Sequence, residues 1–335
     1  YMDDIIYKIS QEKGLSDIHF QTGMPIAIRI NGSIIKKENN SISKEQISKF
    51  ISDHVKDSVI DKLENEKNID FAIQIKDLRF RVNVFDSMNG KNVVLRKIES
   101  VIPNYDSLNF PSIVDDVIKI HNGLILVTGP TGCGKSTSLS AMIDRINETR
   151  QANIITIEDP IEYIHHPKQS IISQREVGNH ATTFSSALRA SLREDPDVIL
   201  VGELRDLETV ALALTAAETG HLVLGTVHTS GAHNTIHRIV DVFPSSQQGQ
   251  VRTQIATSLK LVMTQRLIKK ADHSGRVAAF EIMVSNVAIQ NLIRENKIHQ
   301  IPSAMQTGTG DGMIQMDKSI EQLLSAGVIN YEDAH

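Results

Sequence analysis

Tryptophan is absent from this 335-residue chain, and aromatic residues of any kind amount to 4%. Cores must therefore be built from Ile, Leu, Val and Ala, and few rings are left for a platform on which single-stranded nucleic acid could stack. The single cysteine, Cys133, excludes an intrachain disulfide and a tetracysteine zinc module, and it fits a reducing compartment. Long apolar runs are missing too: none approaches the ~18 residues of a membrane-spanning helix. The opening Met2-Asp3-Asp4 lacks the basic and apolar regions of a signal peptide. Nor is there an excess of positive charge. The formal net charge is −5, whereas a nucleic-acid motor carries a basic stripe, so the balance points to protein partners. These absences predict a cytoplasmic protein that neither inserts directly into a membrane nor binds nucleic acid.

What is present begins with Gly129, Pro130, Thr131, Gly132, Cys133, Gly134, Lys135 and Ser136, which fit the phosphate-loop pattern G-x-x-x-x-G-K-[ST]. They follow the apolar run Leu124-Ile125-Leu126-Val127, which reads as a buried strand. A triphosphate needs closely spaced backbone N–H donors. Glycines let the main chain curl around the β-phosphate, and a helix beginning near Lys135 points its positive end at the anion. On this reading ATP or ADP is the ligand, Lys135 reaches the β/γ-oxygens, Ser136 ligates Mg²⁺, and Thr137 joins the nucleotide contacts.

Three further apolar strands end in groups such a site needs. Val198 to Val201 runs into Gly202-Glu203, which places a carboxylate where a Walker B acid holds Mg²⁺ directly or through water. Ile154 to Ile157 runs into Glu158-Asp159-Pro160-Ile161-Glu162, setting three acids at the mouth of the same sheet. One of them can orient an attacking water; the residues alone leave open which, and capping roles suit Glu158 and Asp159 equally. Leu222 to Val227 is bracketed by His221 and His228, of which His228 either reaches the γ-phosphate or is a satisfied structural histidine. His233 and His237 have i,i+4 spacing, but no third metal ligand declares itself.

Ahead of this region the pattern is that of a small α+β unit. A helix is expected from Asp4 to Lys13, a hairpin at Asn31-Gly32, and a helix from Ser43 to Glu66 opened by a capping box at Ser43 and Gln46. Strands are expected at Ile69 to Ile75, Arg79 to Phe85 and Asn92 to Ile98. Period-two alternation puts Phe80, Val82 and Val84 on the core side and Arg79, Arg81 and Asn83 on the other, with Arg96 alongside. That face is either solvated or an arginine surface offered to phosphates. Prolines and turn formers mark an interdomain linker over 100–111, which divides the chain into 1–99 and 112–335. Strands alternating with helices in the second part predict a parallel α/β sheet, and after Ser285 the chain turns mostly helical, with Val287 to Glu295 and Met316 to Ala326 clearest.

The phosphate loop, Ile157 to Glu162, Val198 to Asp206 and Gly220 to Thr229 together resemble the Walker A, Asp, Walker B and His boxes of the secretion-superfamily ATPases of type II secretion and type IV pili. Within them the chain is similar to the PilT type, the pilus retraction ATPases, over almost its full length. Gly14 to His19 matches that family's opening, and Ala288 to Glu295 resembles its AIRNLIRE signature, with Gln290 in place of an arginine. Cys133 stands where serine is more usual. The resemblance implies an α/β fold with a small PAS-like α+β N-terminal domain and a RecA-like P-loop ATPase core with a helical C-terminal segment. It also implies a homohexamer driving twitching motility through an inner-membrane pilus platform protein. By the same resemblance Glu162 is the catalytic base, Glu203 the Walker B acid and His221 and His228 the His-box pair, while Arg79, Arg81 and Arg96 close on ATP phosphates as two domains rotate. Extension and secretion relatives typically carry a further N-terminal domain and a tetracysteine zinc element, and neither is expected here. Alternatives are a Dot/Icm-like secretion ATPase, an accessory pilus ATPase, and a scaffold that binds nucleotide without turnover.

Overall fold

The computed structural model describes residues 1–98 and 101–335. They fall into two compact units, Tyr1–Val101 with Glu162–Ile164, and Ile102–Ile161 with His165–His335.

The first unit runs α1 (Met2–Ile9), β1 (Leu15–Gln21), β2 (Pro25–Ile30), β3 (Ser33–Ser41), α2 (Lys44–His54), α3 (Asp57–Glu66), β4 (Asn68–Ile75), β5 (Leu78–Ser87) and β6 (Gly90–Ile98). Its strands form one antiparallel sheet in the order β3-β2-β1-β6-β5-β4. Alternation sends Ile18, Phe20, Ile26, Ile28, Phe80, Val82, Val84, Val93 and Leu95 to one buried face, where Ile47, Phe50 and Ile51 of α2 and Leu63 of α3 cover them. Burying each such side chain contributes about 1.5–3 kcal/mol. Asn31 and Gly32 both take positive φ, 48° and 86°, giving the turn whose twist suits the β2–β3 hairpin.

Two helices end sooner than their patterns predict. At Ser10 the hydroxyl donates to the Ile6 carbonyl at 2.6 Å, a local bond that competes with helix continuation, and α1 has stopped at Ile9. The capping box is formed, with Gln46 N donating to Ser43 Oγ and Ser43 N to Gln46 Oε1. The helix it opens stops at His54, because Val55 is extended (φ −124°, ψ 134°) and buried, and α3 starts afresh at Asp57. Ile47, Ile51, Val55 and Val59 keep a spacing of four across the break, so the apolar pattern does not reveal it.

The second unit contains α4 (Ser112–Val117), β7 (Gly123–Thr128), α5 (Lys135–Thr149), β8 (Asn153–Glu158), β9 (Ile171–Glu176), α6 (Phe184–Ser191), β10 (Val198–Val201), α7 (Leu207–Glu218), β11 (Leu222–Val227), α8 (Ala232–Asp241), α9 (Ser245–Ser258), β12 (Leu259–Lys269), β13 (Arg276–Val284), α10 (Val287–Arg294), α11 (Ile301–Thr307) and α12 (Met316–Ser325). The sheet order is β13-β12-β7-β11-β10-β8-β9, parallel from β12 to β9 with β13 antiparallel at the edge. Every residue of β7, β10 and β11 is buried, as a sheet covered on both faces requires. Leu124 and Leu126 face one core with Leu214, Ile236 and Ile255; Ile125 and Val127 face the other with Leu139, Met142 and Ile143 of α5.

Strands β9, β12 and β13 extend the sheet beyond the strands legible in the sequence. The first is a polar edge, and the apolar run of β12 is interrupted at Thr264-Gln265-Arg266. Of the segment expected as a linker, Ser100 lies outside the described residues, as does Glu99 at the end of the expected first domain. Tyr105 and Phe110 pack with the second unit's core, where the Phe110 and Phe280 rings are 5.6 Å apart. Among the described residues no helix is long and apolar enough to cross a membrane.

Candidate functional site

In a parallel sheet the carboxyl ends of the strands share one edge, and ligands bind beyond it. Residues 129–134 leave β7 at that edge and lead into α5, whose first residue is Lys135. Gly129 (φ 147°) and Gly134 (φ 87°) both hold positive-φ conformations that favour glycine. Neither has room for a side chain: a Cβ at Gly129 would lie 2.6 Å from both Cys133 Sγ and the Gln265 carbonyl, and one at Gly134 would lie 2.7 Å from Gln265 Nε2.

Lys135 is buried, and its Nζ donates to the carbonyls of Gly129 (2.6 Å) and Pro130 (3.1 Å) and to His228 Nδ1 (3.1 Å). Burial pushes its pKa below the usual lysine value, with Cys133 and Glu203 acting in the opposite sense. Burial likewise pushes the Cys133 thiol up, against the influence of Lys135. Ser136 is exposed at the start of α5.

Glu203 stands two residues beyond β10, on backbone tied to both neighbouring strands. Gly202 N donates to the Ile157 carbonyl at 2.8 Å, Leu204 N to the Thr226 carbonyl at 3.0 Å, and Thr226 Oγ1 to the Gly202 carbonyl. The Glu203 carboxylate meets His228 Nε2 at 3.4 Å and takes two contacts from Arg205, Nε at 3.2 Å and Nη2 at 2.8 Å. A cleft of about 500 Å³ opens among these groups, walled by Pro130, Thr131, Glu203, Arg205, His228 and Ser230. That volume lies in the range of small-molecule sites. Glu203 in the cleft wall and the exposed Ser136 at the start of α5 both offer hard oxygen, which suits Mg²⁺. Among the described residues no cluster of three or more His, Cys, Asp and Glu is placed to hold a metal, so His233 and His237 gain no third ligand.

Thus the structure brings Gly129 to Thr137, Glu203 and His228 to one edge of one sheet. His221 is placed elsewhere: it precedes β11, and its Nδ1 donates to the Ala216 carbonyl at 2.9 Å. Because β11 runs in register with β7, Leu222 opposite Gly123 and Val227 opposite Thr128, the strand separates His221 from the loop by roughly 20 Å. Glu162 clusters with the first unit, where it accepts from Arg81 Nη2 at 2.9 Å. Glu158, at the end of β8, accepts from Thr156 Oγ1 (2.7 Å) and Gln174 Nε2 (3.2 Å).

The arginine face is present on the first unit's sheet, with Arg81 directly opposite Arg96. Arg79 is buried and bonds Gln74 Oε1 at 3.4 Å, while Arg96 is 72% exposed and its Nε donates to Asp17 Oδ1 at 3.0 Å. Burial alone would raise the Asp17 pKa, but the Ser16 hydroxyl and the Arg96 guanidinium hold it below the usual carboxylate value.

Two contributors escaped the sequence reading. Arg205 falls within the segment Val198 to Asp206 that resembles the Walker B box, but nothing in the sequence singles it out there. Gln265 is 3% exposed on β12; its Nε2 donates to the Cys133 carbonyl and its Oε1 accepts from Ser138 Oγ, both at 2.5 Å. Its only trace is the polar triplet Thr264-Gln265-Arg266 inside an apolar strand.

Residues 1–329 match the family described as Type II/IV secretion system protein. The chain is 46% identical over 326 residues to the "Type IV pilus retractation ATPase PilT" of Pseudomonas aeruginosa, covering 97% of this chain and 94% of that protein. It is 47% identical over 308 residues to a "Twitching motility protein" of Neisseria gonorrhoeae, covering 92% of this chain and 82% of that one. Among solved structures it is similar to the pilus retraction motor PilT with bound ADP, at a TM-score of 0.90 and 46% identity over 99% of this chain and 95% of the other.

Proposed function

Because the chain belongs to the type II/IV secretion system protein family, we propose that it is an ATP-hydrolysing motor that drives type IV pilus retraction and hence twitching motility. One arrangement carries the reading: Lys135, His228 and Glu203 in unbroken contact at the mouth of a phosphate loop. The backbone amides entering α5 bind the β-phosphate, and Lys135 exchanges a loop carbonyl for a phosphate oxygen. Ser136 and Glu203 would hold Mg²⁺, which when bound would supply charge neutralisation on the transferring phosphoryl group. Glu162 orients the attacking water. His228, placed between Lys135 and Glu203, senses the γ-phosphate, and His221 fixes the far end of the strand that carries it.

Arg79, Arg81 and Arg96 deliver positive charge to the nucleotide as the N-terminal domain rotates against an ATPase core. Arginine fingers are worth about 10³–10⁵ in rate, or roughly 4–7 kcal/mol of barrier, so their arrival couples hydrolysis to movement. The working form is a homohexamer in the cytoplasm, held to the inner membrane through a pilus platform protein. Its similarity to the retraction ATPase of Pseudomonas aeruginosa over 97% of its length supports this choice over a secretion role.

Phosphate release by the purified chain, native and with Lys135→Ala or Glu203→Ala, tests the proposal together with pilus retraction in cells carrying each variant. Turnover and retraction are expected in the native chain and in neither variant. Equal background hydrolysis in all three would leave a nucleotide-binding scaffold instead, and normal retraction by either variant without a second motor would refute the role.

A further inference from the structure

Strand β12 lies parallel to β7 with Thr264 opposite Thr128, so Gln265 is one residue past the end of β7, beneath the departing phosphate loop. From there it makes two side-chain bonds. The Cys133 carbonyl can only accept, which turns the amide's NH₂ end toward it, and the Ser138 hydroxyl donates to the Oε1 end. Both ends of the amide are thereby used, and its orientation is fixed. The two glycines with no room for a Cβ face this same residue, Gly129 against its carbonyl and Gly134 against its Nε2.

The consequence follows from peptide geometry. A trans peptide is planar and carries its C=O and N–H on opposite sides. Pinning the Cys133 carbonyl toward Gln265 therefore turns the Gly134 N–H away from the protein interior and into the loop's concave side. The Ser138 bond ties the same amide to the first turn of α5, so loop and helix are oriented together.

We propose that Gln265 is a positioning residue for nucleotide binding, holding the Cys133–Gly134 peptide so that its N–H faces the β-phosphate. The role rests on the nucleotide-binding reading of the loop. Gln265 touches no phosphate itself and acts through one peptide plane. Ser319 of α12 is likewise buried, and its Oγ accepts from the Phe280 N–H of β13 at 2.9 Å.

The test is ADP affinity of the full chain by titration, for native protein, Gln265→Met and Gln265→Glu, with Ser319→Ala as a buried control remote from the loop. Gln265→Met keeps the volume but loses both the donor to Cys133 and the acceptor for Ser138, and ADP binding is expected to weaken about tenfold or more, the size of one to two lost buried hydrogen bonds. Ser319→Ala is expected to lower Tm and leave ADP affinity within twofold. Gln265→Glu adds a readout that a packing role would not move: its carboxyl donates to the Cys133 carbonyl only when protonated. Its affinity relative to the native chain should fall as pH rises from about 6 to about 9, across the raised range of a buried carboxyl. Native-like affinity in a folded Gln265→Met, or an equal affinity loss in Ser319→Ala, would overturn the proposal while leaving nucleotide binding intact. If Gln265→Met does not fold, the Gln265→Glu pH profile decides, a native profile counting against. A native chain that binds no ADP would refute the underlying reading as well.

Discussion

The Lys135 ammonium lies 3.1 Å from His228 Nδ1, and the other nitrogen of that ring, Nε2, faces Glu203 Oε1 at 3.4 Å. An ammonium has only donors, so Nδ1 is the acceptor and the ring proton resides on Nε2, directed at the carboxylate. His228 thus joins Lys135 to Glu203, the cation and the acid proposed to hold phosphate and Mg²⁺. Its contacts are to groups whose task changes during turnover, so His228→Ala is expected to slow phosphate release on the order of 10²-fold, the scale of losing one oriented polar group in such a site. ADP affinity should change far less. Equal losses in both measurements would mean the ring only supports the loop.

Lys135→Arg is expected to fail almost as completely as Lys135→Ala, although the charge is kept. Nζ sits among the Gly129 and Pro130 carbonyls and the His228 ring, a pocket for a compact ammonium. A planar guanidinium cannot point its donors into that space. ADP titration of Lys135→Arg checks this, and near-native affinity would show the pocket to be more open than its contacts imply.

Arg205 occupies the carboxylate proposed to hold Mg²⁺, with two nitrogens on Glu203 at 3.2 and 2.8 Å. Arg205 is 74% exposed, so solvent weakens the pair to about 0–1 kcal/mol. Arg205→Ala should lower the Mg²⁺ concentration giving half-maximal hydrolysis by up to about fivefold. An increase instead would mean that Arg205 itself binds the phosphates.

Much of this site was legible because Lys135, Glu203 and His228 each follow an apolar strand, and a parallel sheet carries the ends of such strands to one edge. His221 shares a motif with His228 yet stands at the other end of β11, which strand length alone separates from the loop. Gln265 was not legible, since nothing in a sequence states that β12 is the neighbour of β7 or gives its register there. The break at Val55 was hidden for a different reason: a buried residue keeps its place in an apolar repeat whether its backbone is helical or extended. The arginine face of β5 was predictable from alternation, whereas the Asp17 and Glu162 carboxylates that occupy Arg96 and Arg81 come from distant parts of the chain.

Asp17→Asn should destabilise the N-terminal unit near neutral pH by about 1–3 kcal/mol, because a buried carboxylate that accepts from Ser16 and Arg96 loses its charge. The folded pKa of Asp17 is depressed, so its contribution is present above the unfolded value and is lost as pH falls through the folded one. The difference in stability between native and variant should therefore shrink below about pH 4. Denaturant unfolding at neutral and acid pH measures it, and a pH-independent difference would assign the effect to packing.

Cys133 offers a chemical test of the loop's shape. Its Sγ lies where a Cβ on Gly129 would come within 2.6 Å, so sulfur and glycine are packed against each other. Any group larger than the thiol must displace Gly129 and the carbonyl that holds Lys135. Burial pushes the thiol pKa up, and the thiolate is the reactive form, so alkylation should be slow near neutral pH and quicken as pH rises. ADP should protect by holding the loop closed over the sulfur. One equivalent of N-ethylmaleimide incorporated at Cys133 is expected to abolish ADP binding, while Cys133→Ser, which fits the same space, should bind ADP normally and resist the reagent. Full ADP affinity in the alkylated chain would show that the loop can move Gly129 aside without losing its grip on phosphate, and that the packing seen here does not set the binding geometry.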